Sequence, residues 1–114
     1  MHRQNELDSI QKVYDFIKWV TPIINRFPRD HKFMAGNRLM NHWYDLLEVL
    51  IEAKYSTKTT RIELLRKANI KLEQIRFIQR LLKDENMWNL KRHKYLVEQT
   101  NAVGISIGGW FKAK

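Results

Sequence analysis

The sequence predicts an all-α protein, an antiparallel up-down-up-down four-helix bundle formed by residues 1–114 as one domain. Four segments repeat apolar residues at spacings of three and four, the period of an amphipathic helix. The chain has only 4 glycines and 2 prolines, too few for a sheet with many turns. Short connections between the segments favour antiparallel neighbours.

Helix one is expected over about residues 5–25 and helix two over about residues 31–55. Pro22 predicts a kink or a break near Thr21, because proline lacks the N–H that continues a helix. A Phe-Pro-Arg-Asp stretch separates the two helices, and Asp30 is a reasonable N-cap for the second. The apolar stripe of helix two consists of Leu39, Met40, Trp43, Leu46, Leu47, Leu50 and Ile51.

Helix three is expected to end near residue 84, and helix four to run from a cap at or near Asn89 to about Phe111. Thr60 followed by Glu63 matches a capping box, which would fix the start of helix three. Gly104 and Gly108 lie one turn apart in helix four, where glycine costs roughly 1 kcal/mol against alanine. They allow close backbone approach, either to another part of the chain or to a second subunit; a frayed helix end is the other interpretation.

The chain is strongly basic, with a formal net charge of +9 and a pI near 10.0. Much of this charge lies on helix three, where residues 58–83 include eight basic side chains against two acidic ones. Such a helix needs an apolar partner on one face and an anionic partner on the other. The charge therefore predicts binding to nucleic acid or to an acidic protein. A membrane surface ranks third, because the apolar faces are committed to the bundle.

Neither an enzyme nor a cofactor is predicted. The three serines have no associated His and Asp pattern, and no glycine-rich phosphate loop occurs. The absence of cysteine excludes disulfides, thiolate catalysis and cysteine zinc sites. No secretory run and no stretch of about 18 apolar residues is present. We therefore expect a cytoplasmic protein with no membrane partner.

Three acidic residues, Asp45, Glu48 and Glu52, share one face of helix two. A di-iron bundle would use such groups together with Glu-x-x-His pairs, which the sequence lacks. No metal site is therefore expected. The favoured interpretation is that these acids form ion pairs across the bundle with Arg38, Arg76 or Arg80.

Basic residues also cluster outside helix three, around the first connection and at the start of helix four. Positive charge at a helix start opposes the helix dipole and costs about 0.3–1 kcal/mol per group, which indicates a use such as phosphate binding, although a solvated face is the alternative. The candidate nucleic-acid-binding residues are Arg26, Arg29, Lys32, Lys67, Lys71, Arg80, Lys91, Arg92 and Lys94. Arg76 and Arg80 have an alternative role in ion pairs between helices. Among the tryptophans, Trp43 fits the core, whereas Trp88 is the best candidate for stacking on bases or for an interface.

Several short segments occur in the order and spacing of a known family. They are Arg26-Phe27-Pro28-Arg29, Gly36-Asn37-Arg38, the run from Leu46 to Ala53, Ala68-Asn69, Leu72-Glu73-Gln74-Ile75-Arg76 with Arg80, and Ile107-Gly108-Gly109-Trp110. Over about residues 13–112 the chain resembles the Avd-type accessory proteins of diversity-generating retroelements. The same segments resemble the related four-helix proteins encoded in ribosomal RNA intervening sequences.

The resemblance implies a four-helix protomer that assembles into a pentameric barrel. For the accessory branch it also implies binding to a retroelement reverse transcriptase and to template RNA, cDNA or DNA, in support of mutagenic copying. The alternative is a scaffold of the intervening-sequence type that binds an acidic protein. The net charge of +9 favours the first branch.

Overall fold

The structure, a computed structural model, describes the backbone of residues 2–113 and the side chains of residues 6–113. Four long helices form a bundle: α1 (His2–Asn25), α3 (Asn37–Lys54), α4 (Lys58–Asp84) and α5 (Leu90–Lys112). A short helix α2 (Arg29–His31) and a π-helical segment (Lys32–Gly36) lead into α3. The described part of the chain contains no strand, which confirms the all-α prediction.

Side-chain contacts show that neighbouring long helices run antiparallel. Along α3 and α4, Trp43 contacts Gln79 while the later residue Asp45 contacts the earlier Lys71. Along α1 and α5, Ser9 contacts Ser106 while Trp19 packs against Tyr95. Arg76 and Gln79 of α4 likewise contact Asn101 and Thr100 of α5. The up-down-up-down order is therefore confirmed.

The predicted break in helix one is wrong, since α1 continues through Pro22 to Asn25. Pro22 lies in the last turn of α1 and has no N–H to donate to the carbonyl one turn earlier. The hydroxyl of Thr21 donates to the Ile17 carbonyl at 2.6 Å and adds a polar contact just before the proline. A proline this close to a helix end removes one hydrogen bond without ending the helix.

The second predicted helix begins earlier and is less regular than expected. Asp30 is not its cap, because helical structure begins directly after Pro28, and the Lys32 N–H already bonds the Pro28 carbonyl at 2.9 Å. The π-helical segment ends at Gly36, which packs closely against α1. A Cβ at this position would lie 3.0 Å from the His31 carbonyl oxygen and 3.1 Å from Cγ2 of Ile24.

The caps of α4 and α5 test two further predictions. The capping box at Thr60 is wrong: Thr57 is the N-cap of α4, and its side chain accepts from the Thr60 N–H at 3.4 Å. Arg61 closes this turn by donating to the carbonyls of Ala53 and Ser56. The Asn89 cap of α5 is confirmed by its bond to the Arg92 N–H at 2.8 Å.

A polar network lies in the core and joins three helices. Trp43 on α3 is fully buried, and its Nε1 donates to Oε1 of Gln79 on α4 at 3.3 Å. Nε2 of Gln79 donates to the Thr100 hydroxyl on α5 at 3.1 Å, and that hydroxyl donates to the Leu96 carbonyl at 2.7 Å. Because a buried polar group without a partner is costly, this network favours one register of α3, α4 and α5.

We expect Gln79→Leu to destabilise the protein by about 1–3 kcal/mol, the usual cost of leaving a buried donor such as Trp43 Nε1 unpaired. Urea unfolding measures the change. Gln11→Leu is the matched control, because Gln11 is exposed on α1 and its side chain bonds only the exposed Asp15; its effect should stay within about 0.5 kcal/mol. Equal stability of the Gln79→Leu variant and the parent would contradict a register-setting role for the network.

Candidate nucleic-acid interface

The antiparallel topology brings two of the predicted basic clusters to the same end of the bundle. The connection after α1 meets the connection after α4, where the rings of Phe27 and Trp88 lie 5.7 Å apart. Nε2 of His31 also lies 3.6 Å from Oε1 of Glu85. Residues 26–32 and 83–94, here called the basic end, contain seven Lys or Arg residues and three Asp or Glu residues. The two clusters therefore form one positively charged region.

Most cationic side chains of the basic end are free to meet a ligand. Five of the predicted contacts are exposed and Lys32 is half-buried. Within the described side chains, none of these six has a carboxylate within 4 Å. The six residues are Arg26, Arg29, Lys32, Lys91, Arg92 and Lys94.

Trp88, the predicted candidate for stacking on bases, does not have an exposed ring. Its side chain is only 5% exposed and packs against Phe27, so it has no face available for a base. The connection after α4 is short, and the large apolar ring is buried in the bundle end instead of reaching solvent. Trp43 is fully buried, as predicted.

Phe33 is an exposed aromatic residue at the basic end that the sequence analysis missed. Its ring is 57% exposed, and the charged groups of Arg29 and Lys32 lie 6.0 Å and 5.5 Å from its centroid. Both cations lie over the ring in cation–π contacts, and an exposed aromatic ring beside positive charge can stack on a base if the flexible cations move to its phosphate. The interleaving of basic residues and a phenylalanine between positions 29 and 33 was the signal in the sequence.

Lys67 and Lys71 lie elsewhere, in a groove between α3 and α4 that Asp45, Glu48 and Glu52 also line. Nζ of Lys71 is 3.7 Å from Oδ2 of Asp45 and 3.2 Å from Nδ1 of His42. Burial, followed by the charge of Lys71, lowers the pKa of His42 below its usual range.

The acidic face of α3 therefore has a partner other than the one predicted. Among the described residues, the ion pair of this face is formed by Asp45 with Lys71 and not with an arginine. Lysine reaches Asp45 because Lys71 lies on the side of α4 that packs against α3. Among the described residues, no three His, Asp or Glu side chains come close enough together to hold a metal ion.

Arg76 and Arg80 lie on the opposite side of α4, toward α5. Arg76 Nη1 is 3.5 Å from Oε1 of Glu73, and its Nη2 donates to Oδ1 of Asn101 at 3.4 Å. The contact between helices that Arg76 makes is thus a hydrogen bond, while its ion pair stays within α4. Arg80 is exposed and has no carboxylate within 4 Å among the described side chains.

The two glycines of α5 have different surroundings. A Cβ on Gly104 would lie 3.0 Å from Nη2 of Arg76 and 3.3 Å from Cδ2 of Leu72, so Gly104 allows close packing within the chain. A Cβ on Gly108 would meet nothing within 4 Å. Of the interpretations offered for this pair, intrachain packing therefore holds for Gly104, while the subunit contact stays a prediction for Gly108.

Comparison with known proteins gives one match. A family model described as bAvd-like matches residues 8–114. The matched region includes both clusters of the basic end, Phe33 and most of α1. No curated protein and no solved structure matches the chain. None of the described helices is long and apolar enough to cross a bilayer.

Proposed function

This chain belongs to the bAvd-like family, the bacterial accessory proteins of diversity-generating retroelements, and we propose that it binds nucleic acid on behalf of a reverse transcriptase. In this role the protein is not an enzyme. It holds template RNA, cDNA or DNA and associates with the polymerase, which performs the mutagenic copying. The observation that supports the proposal best is the basic end.

The basic end suits binding to a phosphate backbone for an electrostatic reason. Lys and Arg side chains that neutralise phosphates release condensed counterions, so the affinity falls steeply as salt rises. Contacts of this kind carry no sequence information, which suits a protein that holds a template while another protein copies it. The proposed contacts are Arg26, Arg29, Lys32, Lys91, Arg92 and Lys94, with Phe33 available for stacking. Lys67, Lys71 and Arg80 are also proposed contacts, and Lys71 ranks lowest because its ammonium already pairs with Asp45.

An exposed apolar stripe on α4 supports the assembly of several copies. Ile70, Phe77 and Leu81 are 61%, 64% and 48% exposed and follow one another at spacings of seven and four, so they share one face. Across a groove lies Met34, which is 73% exposed. Large exposed apolar side chains grouped on one helix face favour a subunit contact. We propose that it joins subunits in the pentameric ring that the family resemblance implies, which would repeat the basic end five times.

Neutralising the start of α5 should weaken binding to RNA. In the triple variant Lys91→Gln, Arg92→Gln, Lys94→Gln, we expect weaker binding to a structured RNA and a shallower dependence of log K on log salt. Each lost phosphate contact reduces that slope by about 0.7–0.9. Fluorescence anisotropy across a salt series measures both quantities.

The matched control removes the same charge elsewhere, through Lys58→Gln, Arg66→Gln and Lys112→Gln, all exposed residues outside the basic end. We expect this control to keep most of the parent's affinity. If both triple variants lose affinity equally, net charge alone explains binding and the site assignment is wrong. If the parent binds no RNA at about 50 mM salt, where several phosphate contacts should be strong, the proposed nucleic-acid role is wrong and the result favours the alternative of a scaffold for an acidic protein.

The reverse transcriptase of the same retroelement should bind this protein directly. We expect a tagged polymerase to retain it through purification after nuclease digestion, because the proposed association includes protein contacts. A reverse transcriptase from an unrelated element is the control and should retain none. If the matching polymerase no longer retains the protein after digestion, the two are linked only through nucleic acid, and the predicted direct contact is wrong.

Placing a charge in the apolar stripe should break the assembly. We expect the parent to have about five times the chain mass of 13.8 kDa by native mass spectrometry. Phe77→Asp should yield the single-chain mass, since a buried unpaired charge is strongly unfavourable. Tyr55→Asp is the control, because Tyr55 is 78% exposed and lies outside the stripe. A single-chain mass for the parent would contradict the ring.

A further inference from the structure

The seam between α4 and α5 contains a small cavity that shares only His93 with the basic end. Its volume is about 170 Å³, and it is lined by Arg76, Gln79, Arg80, His93, Val97, Thr100 and Asn101. An adjoining cavity of about 400 Å³ shares Arg76 and Asn101 with it and extends to Gly104. Sites for drug-sized ligands occupy about 300–1,000 Å³. The smaller cavity therefore suits one chemical group of a ligand.

The lining of this cavity is rich in hydrogen-bond donors and positive charge. Arg76 and Arg80 are separated by one helical turn, so both guanidinium groups can reach one group bound between them. Each guanidinium has five N–H donors. The contacts of Arg76 with Glu73 and Asn101 leave others free, and Arg80 has no ion pair among the described residues. Two like charges placed one turn apart weaken a helix slightly, a cost that a bound anion would offset.

His93 contributes an imidazole from the α5 side. It lines the cavity, and its Nδ1 is buried without a hydrogen-bond partner among the described residues. Burial, followed by the charge of Lys83, lowers the pKa of His93, while Asp84 raises it. An unpaired buried nitrogen is uncommon in folded proteins, and either a water or a bound ligand beside the ring would satisfy it.

Gly104 leaves room for the Arg76 guanidinium beside α5. Any side chain at this position would meet the Arg76 guanidinium, because even a Cβ would lie 3.0 Å from Nη2. The guanidinium therefore occupies the space that a larger residue would fill and stays beside Asn101. In this way α5 holds Arg76 at the edge of the cavity.

We propose that the groove between α4 and α5 at Arg76 and Arg80 is a binding site for a single phosphate group. The arginine pair would supply charge and paired N–H donors, which match the several oxygens of a phosphate. The source of the phosphate is either a nucleic-acid strand or a free phosphate compound. The site itself does not depend on the proposed function; only the assignment of the phosphate to a nucleic-acid strand rests on it. A carboxylate, with two oxygens in one plane, would use fewer of the donors that surround the cavity.

The direct test uses inorganic phosphate as the probe, at constant ionic strength. Calorimetry should show binding to the parent, and the double variant Arg76→Met, Arg80→Met should bind at least about tenfold more weakly, since hydrogen bonds to charged groups are among the strongest. The control Lys58→Met, Arg66→Met removes the same charge from exposed positions of α4 outside the groove and should bind within about twofold of the parent. Nuclear magnetic resonance should show phosphate shifting the His93 imidazole signals in the parent and in the control alone.

Two results would overturn the site. One is phosphate binding by the groove variant as tight as that of the parent. The other is acetate binding as tight as phosphate, which would indicate a general anion or carboxylate site. If the double variant does not fold, Arg80→Met alone decides the matter, because Arg80 is exposed and makes no ion pair among the described residues.

RNA binding by the same variants separates this site from the proposed function. A parallel loss of RNA and phosphate affinity identifies a nucleic-acid strand as the source. Loss of phosphate affinity alone supports the same site with a free phosphate compound as its ligand. If the parent binds no RNA but its phosphate binding depends on Arg76 and Arg80, the proposed function fails while the site remains.

Discussion

The bundle depends on the register that Gln79 sets among α3, α4 and α5. Apolar side chains alone can pack in several registers, because a helix that slides along its neighbour brings another apolar residue of similar volume into each contact at a small cost. A buried amide is less tolerant, since its oxygen and nitrogen must both find partners. Gln79 finds them only where Trp43 and Thr100 are opposite it. This register fixes where the connections at the two ends of α4 lie along the bundle axis. The position of α5 against α1 is fixed separately, by the hydrogen bond between Ser9 and Ser106.

That register has an electrostatic consequence at one end of the molecule. The segment after α1 and the first turns of α5 both carry positive charge, and bringing them together opposes folding. Apolar burial offsets this repulsion, because Phe27 and Trp88 pack against each other beneath the charges and are 8% and 5% exposed. The cationic groups themselves remain in water, where their repulsion is screened and their attraction for phosphate is available. The positive charge is thus concentrated on a surface that the buried contact between Phe27 and Trp88 stabilises.

Much of this arrangement could be predicted from the sequence, and the remainder shows where sequence reasoning ends. Apolar periodicity identified the four long helices, and the Asn89 cap was recognisable because its side chain is bonded locally. The predictions based on Pro22 and Thr60 were wrong, since α1 continues through the proline and Thr57 is the N-cap of α4. Trp88 was misplaced because residues in a short connection are assumed to be exposed. The pairing of Asp45 with Lys71 and the cavity at Arg76 depend on which helices become neighbours, and composition does not specify that.

The central claim is that phosphate backbones are held at the basic end, and photo-crosslinking of the protein to a structured RNA tests it most directly. Mass spectrometry of the cross-linked peptides locates the contact without any substitution that changes the charge. The account predicts cross-links in residues 26–33 and 90–94, with Phe33 prominent among them because its exposed ring can stack on a base. Cross-links confined to the opposite end, around residues 54–58, or to the acidic face of α3 would contradict it.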